Sequence, residues 1–271
     1  KVSSVSFPPG SNILFKKGQT FYGALVVNKG GTAGNPITFG TYGSGAKPII
    51  SGFYPVTNWI SVGSNVWEST DVVSSLVTVT VVLVGGEDTQ MGRYPNDGYF
   101  AYESFNGRTS ITSSKLSGGV NWTGAEIASK KQRWIIDRYP ILSQSGNTLT
   151  FPTAYYDGRE GWGFFIQNDP RTLDQKNEWY FNPQTKKLRI YSRTKPTDVR
   201  VSSVDNLVTI YNKSNISING LVFEGGNTAA VSLNTAPDVS ITNSDIRYSQ
   251  NGVLGLGANS SANLKIEKSI I

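Results

Sequence analysis

Residues 207–271 repeat one pattern of hydrophobic and polar positions along the chain. Each repeat holds three short segments in which apolar and polar side chains alternate, separated by Asn, Gly, Ser and Asp. This alternation is typical of strands with one buried face. The positions predicted to point inward are Val208, Ile210, Ile216, Ile218, Leu221 and Phe223, then Val231, Leu233, Val239, Ile241, Ser244 and Ile246, then Leu254, Leu256, Leu264, Ile266, Ser269 and Ile271.

The spacing of the repeats is regular. The first pair of inward positions recurs at intervals of 23 and 23 residues, and the other two pairs recur at 23 and 25. The two extra residues fall in a polar turn around Asn259, Ser260 and Ser261. Three strands per repeat predict an all-β fold, a right-handed parallel β-helix in which each repeat forms one coil.

The N-terminus carries a fainter version of the pattern. Apolar groups at 13–15, 25–27, 37–39 and 48–50 recur about every twelve residues, with Gly-rich turns between them. We expect residues 1–53 to form the start of the same solenoid.

Residues 54–206 interrupt the period and contain all six Trp residues. The sequence EWYFNPQTKKLRIYS at 178–192 predicts a hairpin with a turn over residues 182–185. The nine-residue apolar stretch 76–84 is too short to span a membrane and predicts a buried strand. The sequence therefore predicts three regions: the β-helix start (1–53), an inserted aromatic-rich antiparallel β region (54–206) and β-helix coils (207–271).

Composition narrows the possible chemistry. The chain has no Cys, which excludes disulfides and Cys-ligated metals, and no His, which excludes Ser-His-Asp hydrolysis. Asp, Glu, Lys, Arg and Tyr remain as acids, bases or charge stabilisers. The net charge is +6, but the 25 basic residues are scattered, so we expect a solvated surface and no nucleic-acid partner.

The sequence ends at Ile271, inside the last predicted strand. A solenoid needs a cap because an uncovered coil exposes its core and its unpaired strand edges. We therefore expect the natural protein to continue beyond this residue.

Several segments together resemble the N-terminal part of secreted bacterial β-helix proteins of the pectin lyase-like superfamily. They are SNILFKKGQTFYGALVV, GNPITFGTYGSGAKPIISG, MGRYPN, GFFIQNDPRTLDQKNEWYFNPQTKKLRIYS and NLVTIYNKSNISINGLVFEGG. Members with this layout include polysaccharide lyases and β-helix glycoside hydrolases. The resemblance implies a polysaccharide partner, a secreted, periplasmic or cell-surface location, and a sugar bound along an outer face of the helix.

Three residues are the candidates for catalysis: Asp245, Arg247 and Glu224. Because Ile246 points inward, Asp245 and Arg247 project outward from one strand, and Glu224 lies beside Arg247 one coil earlier. A carboxylate and a guanidinium so placed suit protonation or charge neutralisation of a sugar ring. The alternative interpretation is a cross-strand ion pair with a structural role.

A hydrolase and a lyase need different residues. Glycosidases use two carboxylates, whereas a uronate lyase needs a base for the C5 proton, for which Lys213, Arg247 and Lys265 are available. Calcium often neutralises the substrate carboxylate in the superfamily. No clustered Asp motif is present, so we expect no metal or other cofactor, with calcium as the alternative.

The substrate-binding candidates are Tyr94, Asp97, Tyr99 and Tyr102. Gly and Asn around them predict an exposed loop, and loops often carry binding residues. We expect most Trp side chains to be buried. The leading hypothesis is a polysaccharide-active enzyme, hydrolase or lyase, and the alternative is a non-catalytic carbohydrate-binding or adhesion solenoid.

Overall fold

The computed structural model describes residues 2–256 and 262–271. The described chain is built almost entirely of strands. Its 3-10 helices are single turns, Val2–Ser4, Ser114–Leu116 and Pro170–Thr172. The N-terminal strands are β1 (Asn12–Lys16), β2 (Thr20–Tyr22), β3 (Leu25–Val27), β4 (Ile37–Tyr42) and β5 (Ile49–Ser51).

The middle of the chain forms strands of an antiparallel region. They are β6 (Phe53–Val56), β7 (Trp59–Gly63), β8 (Val66–Ser69), β9 (Val82–Val84), β10 (Glu87–Thr89), β11 (Arg93–Tyr94), β12 (Phe100–Ala101), β13 (Ser104–Asn106), β14 (Ser110–Thr112), β15 (Glu126–Gln132), β16 (Ile135–Pro140), β17 (Ser143–Ser145), β18 (Thr148–Thr150), β19 (Gly163–Gln167), β20 (Trp179–Asn182), β21 (Lys187–Tyr191) and β22 (Val199–Ser202).

The C-terminal strands return to the solenoid. They are β23 (Val204–Tyr211), β24 (Ile216–Asn219), β25 (Val222–Glu224), β26 (Gly226–Asn234), β27 (Val239–Thr242), β28 (Asp245–Arg247), β29 (Asn251–Leu256) and β30 (Lys265–Glu267).

Three parallel sheets confirm the predicted β-helix. Their strand orders are β1-β4-β24-β27-β30, β2-β5-β25-β28 and β3-β23-β26-β29. Strands β3, β4 and β5 pair directly with β23, β24 and β25, although the whole antiparallel region separates them in sequence. The chain thus leaves the solenoid after β5 and re-enters it one coil further along.

The predicted register holds for two of the three strand positions. Ile216 lies beside Val239, and Phe223 lies beside Ile246, as the repeat required. The core that these coils enclose is aliphatic, and many of its side chains are fully buried. Two turn asparagines stack along the solenoid axis, where Asn243 Nδ2 donates to Asn219 Oδ1 at 3.2 Å.

The predicted register is wrong in β29. Val231 lies beside Val253, and Leu254 lies beside Ser232. The reason is the turn before β29, which is one residue shorter than the equivalent turn before Val231. Val253 therefore packs against the core, and Leu256 is 45% exposed. The turn predicted at Asn259, Ser260 and Ser261 lies outside the described residues.

The antiparallel region contains four sheets with their own apolar clusters. The predicted hairpin is confirmed, with Trp179 opposite Ile190 in the β20–β21 pair. The strand predicted over 76–84 is wrong in its extent, because only Val82–Val84 forms a strand and Val77 is exposed. No helix in the described ranges is long and apolar enough to cross a bilayer.

Candidate functional site

An open groove lies between the antiparallel region and the solenoid turn that joins β28 to β29. Its first half has a volume of about 480 Å³. The walls come from the segment around β9 and β10, from Arg138 and Gln167 of the antiparallel region, and from the solenoid turn Tyr248-Ser249-Gln250. A second half of about 360 Å³ shares Thr80, Met91, Arg138 and Gln250 with the first, so the two halves form one groove.

Tyr248 closes the solenoid side of the groove and has an unusual backbone. The equivalent turn residue one coil earlier is Gly225, with φ of +80°, and its N–H donates to the Tyr248 carbonyl oxygen at 2.9 Å. Tyr248 itself has φ of +53°, a conformation that is uncommon for an aromatic residue. The turn thereby brings the Tyr248 ring within 6.4 Å of Phe53, where the antiparallel region begins.

Asp88 is the acidic group in the first half of the groove. In the β9–β10 hairpin it lies opposite Leu83, which packs in a small apolar cluster with Phe53, Val81 and Tyr248. Asp88 is exposed, but partial desolvation beside this cluster raises the pKa of its carboxyl, and a hydrogen bond from the Thr89 backbone only partly opposes the shift. Asp88 thus keeps its proton to higher pH than an ordinary aspartate.

Glu126 and Arg138 line the second half of the groove. They lie on adjacent strands of the sheet formed by β11, β12, β19, β15 and β16, which we call the β15 sheet. The Gln167 side-chain amide donates to Glu126 Oε1. Arg138 forms no ion pair and no side-chain hydrogen bond with any residue that the structure describes. The groove therefore offers two carboxylates and one uncommitted guanidinium to a ligand.

The predicted catalytic residues Glu224 and Arg247 form an ion pair of 3.0 Å between Oε2 and Nη2. Glu224 is buried, and its other oxygen accepts a hydrogen bond from Ser51 at 3.3 Å. Asp245 lies on the same strand as Arg247 but pairs with Lys47 at 2.7 Å. The carboxylates of Glu224 and Asp245 thus both form ion pairs with cations of neighbouring coils. The catalytic role of these residues stays a prediction.

The predicted binding residues do not form one cluster, because three of them are exposed and Tyr102 is buried. Tyr94 stacks on Trp122 at 5.5 Å, and Tyr99 packs against Phe165 at 5.6 Å; Asp97 is exposed in the loop between them. The expectation that Tyr102 belongs to an exposed cluster is wrong.

The Tyr102 side chain is fully buried in the cluster beneath the β15 sheet. Its hydroxyl donates to the Lys130 carbonyl oxygen and accepts from the Arg159 N–H. A buried phenol needs such partners, so these bonds explain why a tyrosine occupies a core position.

The lyase candidates lie away from the groove walls. Lys265 pairs with Glu267 at 3.1 Å, and Lys213 donates to the Asn212 carbonyl oxygen at 3.2 Å. Among the described residues, no three acidic side chains come together as a metal-binding group. The calcium alternative stays untested.

Sequence reasoning missed Asp88, Glu126 and Arg138. Each lies in the antiparallel region, whereas the candidate chemistry had been sought in the solenoid coils. The one local signal was the Gly-Gly-Glu-Asp segment 85–88, which marks a polar turn directly after an apolar strand. Nothing in the spacing of these residues indicates that they face one groove.

Comparison with known proteins identifies the fold. No protein-family model matches the chain, and no curated protein matches it. A solved structure described as "Glycoside hydrolase" superposes with a TM-score of 0.69 at 15% identity, over 93% of this chain and 61% of that protein. At this identity the similarity establishes a shared fold, and this chain spans 61% of that protein's length.

Two further solved structures are more distant. XylC in complex with xylose gives a TM-score of 0.35 at 12% identity, over 91% of this chain and 38% of that one. The tailspike protein gp49 of Pseudomonas phage LKA1 gives 0.24 at 10% identity, over 99% and 38%. Similarity at these levels carries no structural argument.

Proposed function

We propose that this chain carries the groove and the proton donor of a glycoside hydrolase that acts on a polysaccharide. The observation that carries the proposal is Asp88, a carboxyl of raised pKa on the wall of an open groove. A glycosidase needs one carboxyl group that stays protonated long enough to protonate the leaving oxygen.

The roles follow from the surroundings of each group. Asp88 donates its proton to the glycosidic oxygen. Glu126, held by Gln167, acts as the second carboxylate, either as nucleophile or as the base that activates water. Arg138, free of internal partners, binds sugar hydroxyl or carboxylate oxygens.

The fold supports the proposal from a second direction. A solved structure that shares this fold is described as a glycoside hydrolase. The proposal includes a location outside the cytoplasm, where polysaccharides are encountered. It differs from the initial expectation in placing the chemistry in the antiparallel region and not at Asp245, Arg247 and Glu224.

The test is release of reducing ends from a panel of neutral and acidic polysaccharides by the protein and by its D88N and E126Q variants. Turnover should fall about 10²- to 10⁴-fold in D88N, the contribution of a general acid. D71N is the matched control, since Asp71 accepts a hydrogen bond from Asn58 outside the groove. Full activity of D88N would refute the proposal.

A lyase would give a different product from the same panel. Cleavage by elimination leaves an unsaturated uronate that absorbs ultraviolet light, whereas hydrolysis does not. Appearance of this absorbance together with reducing ends would replace hydrolase by lyase.

The second candidate function is carbohydrate binding without catalysis. The observation that favours it is the exposed aromatic and basic surface of the β15 sheet, to which Tyr99 and Phe165 contribute. Retention on a polysaccharide without any cleavage of it would support this candidate.

A further inference from the structure

The outer face of the β15 sheet joins the groove to an aromatic platform. Strand alternation places Glu126, Ala128 and Lys130 of β15 on one face and Ile127 and Ser129 on the other. Glu126 and Lys130 are partly exposed, whereas Ala128 between them is covered. Arg138 and Phe165 lie directly beside Ala128 on the neighbouring strands, so they share this face. Glu126 and Arg138 belong to the groove.

The platform lies at the other end of the same face. The platform consists of Tyr99, Lys130 and Trp162, which line a shallow pocket of about 250 Å³ together with Gly161 and Gly163. Four residues along a strand span about 13 Å, so the platform lies two to three sugar units from Glu126.

Glycine at position 163 holds Tyr99 against the sheet. A Cβ at this position would lie 2.4 Å from the Tyr99 Cβ, so no larger residue allows the ring to pack there. Tyr99 in turn contacts Phe165. This close approach places the Tyr99 ring beside Phe165 of β19. Trp162 directly precedes β19 in the sequence.

The Trp162 ring is flanked by two cations. Lys130 Nζ lies 5.6 Å from the ring centroid, and the Arg159 guanidinium carbon lies 5.2 Å from it. Neither side chain has an acidic partner within 4.0 Å among the described residues. Trp162 packs against the apolar cluster beneath the β15 sheet and is only partly buried, so the remaining surface of its ring and the exposed Arg159 are accessible to a ligand.

The charge of the face selects the ligand. Arg93 lies over Phe165 at 3.8 Å, but its guanidinium donates to two backbone carbonyl oxygens. Arg138 and Lys130 follow along the sheet, and the carboxylate of Glu126 projects from the same face. Aromatic rings suit the apolar face of a pyranose, and uncommitted cations suit carboxylate groups.

We propose that this face binds an acidic polysaccharide, with Trp162, Lys130 and Arg159 forming a uronate-binding subsite remote from the groove. The inference rests on the proposed function for the direction of the sugar chain, which runs from the groove to the platform. It assigns the substrate class as uronate-containing, and it gives Tyr99 a binding role beside Trp162.

The experiment is affinity electrophoresis of the full chain through gels that contain sodium polygalacturonate, sodium alginate or a neutral β-glucan. We expect retardation by at least one acidic polymer and none by the neutral one. The double variant K130M/R159M and the variant W162A should each weaken binding about tenfold or more. K16M is the control for the loss of a single positive charge, because Lys16 is exposed on β1 and outside the β15 sheet.

The outcomes are separable from those of the proposed function. Equal retardation by neutral and acidic polymers would overturn the inference, and so would equal losses per removed charge in K16M and K130M/R159M. If the protein cleaves a polysaccharide and the platform variants bind it as the parent does, this inference alone is refuted. If binding depends on the platform but no polysaccharide is cleaved, the hydrolase proposal alone is refuted.

Far-ultraviolet circular dichroism of W162A separates lost binding from lost folding, and K130M/R159M gives a second test that leaves the ring in place.

Discussion

Glu224 and Arg247 occupy the same position in two successive coils, and the Arg247 guanidinium donates to Glu224 Oε2 from Nε at 3.2 Å and from Nη2 at 3.0 Å. The Glu224 side chain is 7% exposed, whereas that of Arg247 is 50% exposed. The buried carboxylate therefore depends on a partner that reaches it from the surface, and the pair joins neighbouring coils.

Removing Arg247 should destabilise the solenoid. In R247M the nearly buried Glu224 carboxylate loses its cation, which costs about 1–3 kcal/mol of unfolding free energy. The matched control is K47M, because the Lys47–Asp245 pair is only partly buried and is worth about 0–1 kcal/mol. Urea unfolding at pH 7 measures both. An E224Q variant that keeps its stability but loses turnover would instead support the catalytic role first considered.

The raised pKa of Asp88 predicts how activity and stability depend on pH. The folded protein binds the Asp88 proton more tightly than the unfolded chain, so this contribution to stability is full below pH about 4 and is lost as pH rises through the raised pKa. Enzyme activity that needs protonated Asp88 should fall over the same range of rising pH. Thermal melts and initial rates of the parent and D88N from pH 3 to 8 check this, and an unchanged pH limb in D88N would contradict it.

Gly225 allows the solenoid turn to pass the Phe53 ring. A Cβ at Gly225 would lie 2.8 Å from Phe53 ring atoms, and φ is +80°, so G225A should lose about 2–4 kcal/mol of unfolding free energy. Gly146 also has a positive φ, +54°, but has nothing within 4 Å of a built Cβ. G146A should lose only about 1 kcal/mol. Equal losses in the two variants would show that the Phe53 contact is unimportant.

Glu178 predicts a second pH-dependent contribution to stability. Burial raises the pKa of its carboxyl, although the backbone N–H groups of Asp174 and Gln175 donate to Oε2 and oppose the shift. The contribution is therefore full below pH about 4.5 and is lost as pH rises through the raised pKa. E178Q removes the titration and should flatten the fall in melting temperature between pH 5 and 8. A parallel curve for E178Q and the parent would count against this assignment.

Much of the solenoid could be predicted from the sequence because its contacts follow a period. Stacked coils place residues 23 apart side by side, so Ile216 with Val239 and Phe223 with Ile246 could be paired by counting. Counting failed at Leu254 because one turn is shorter by a residue, and in a strand a shift of one residue exchanges the inward and outward faces.

The sequence by itself determined the β-helix, the hairpin at 178–192, and the absence of Cys and His that limits the chemistry to carboxylates, amines, guanidinium groups and phenols. Only the tertiary structure decided that Asp88, Glu126 and Arg138 line one groove and that Tyr102 is buried. The physical reason is that the solenoid repeats a local rule, whereas the groove joins strands of different sheets to a solenoid turn distant in sequence. Such contacts depend on how whole sheets pack, and no short-range pattern in the chain records that packing.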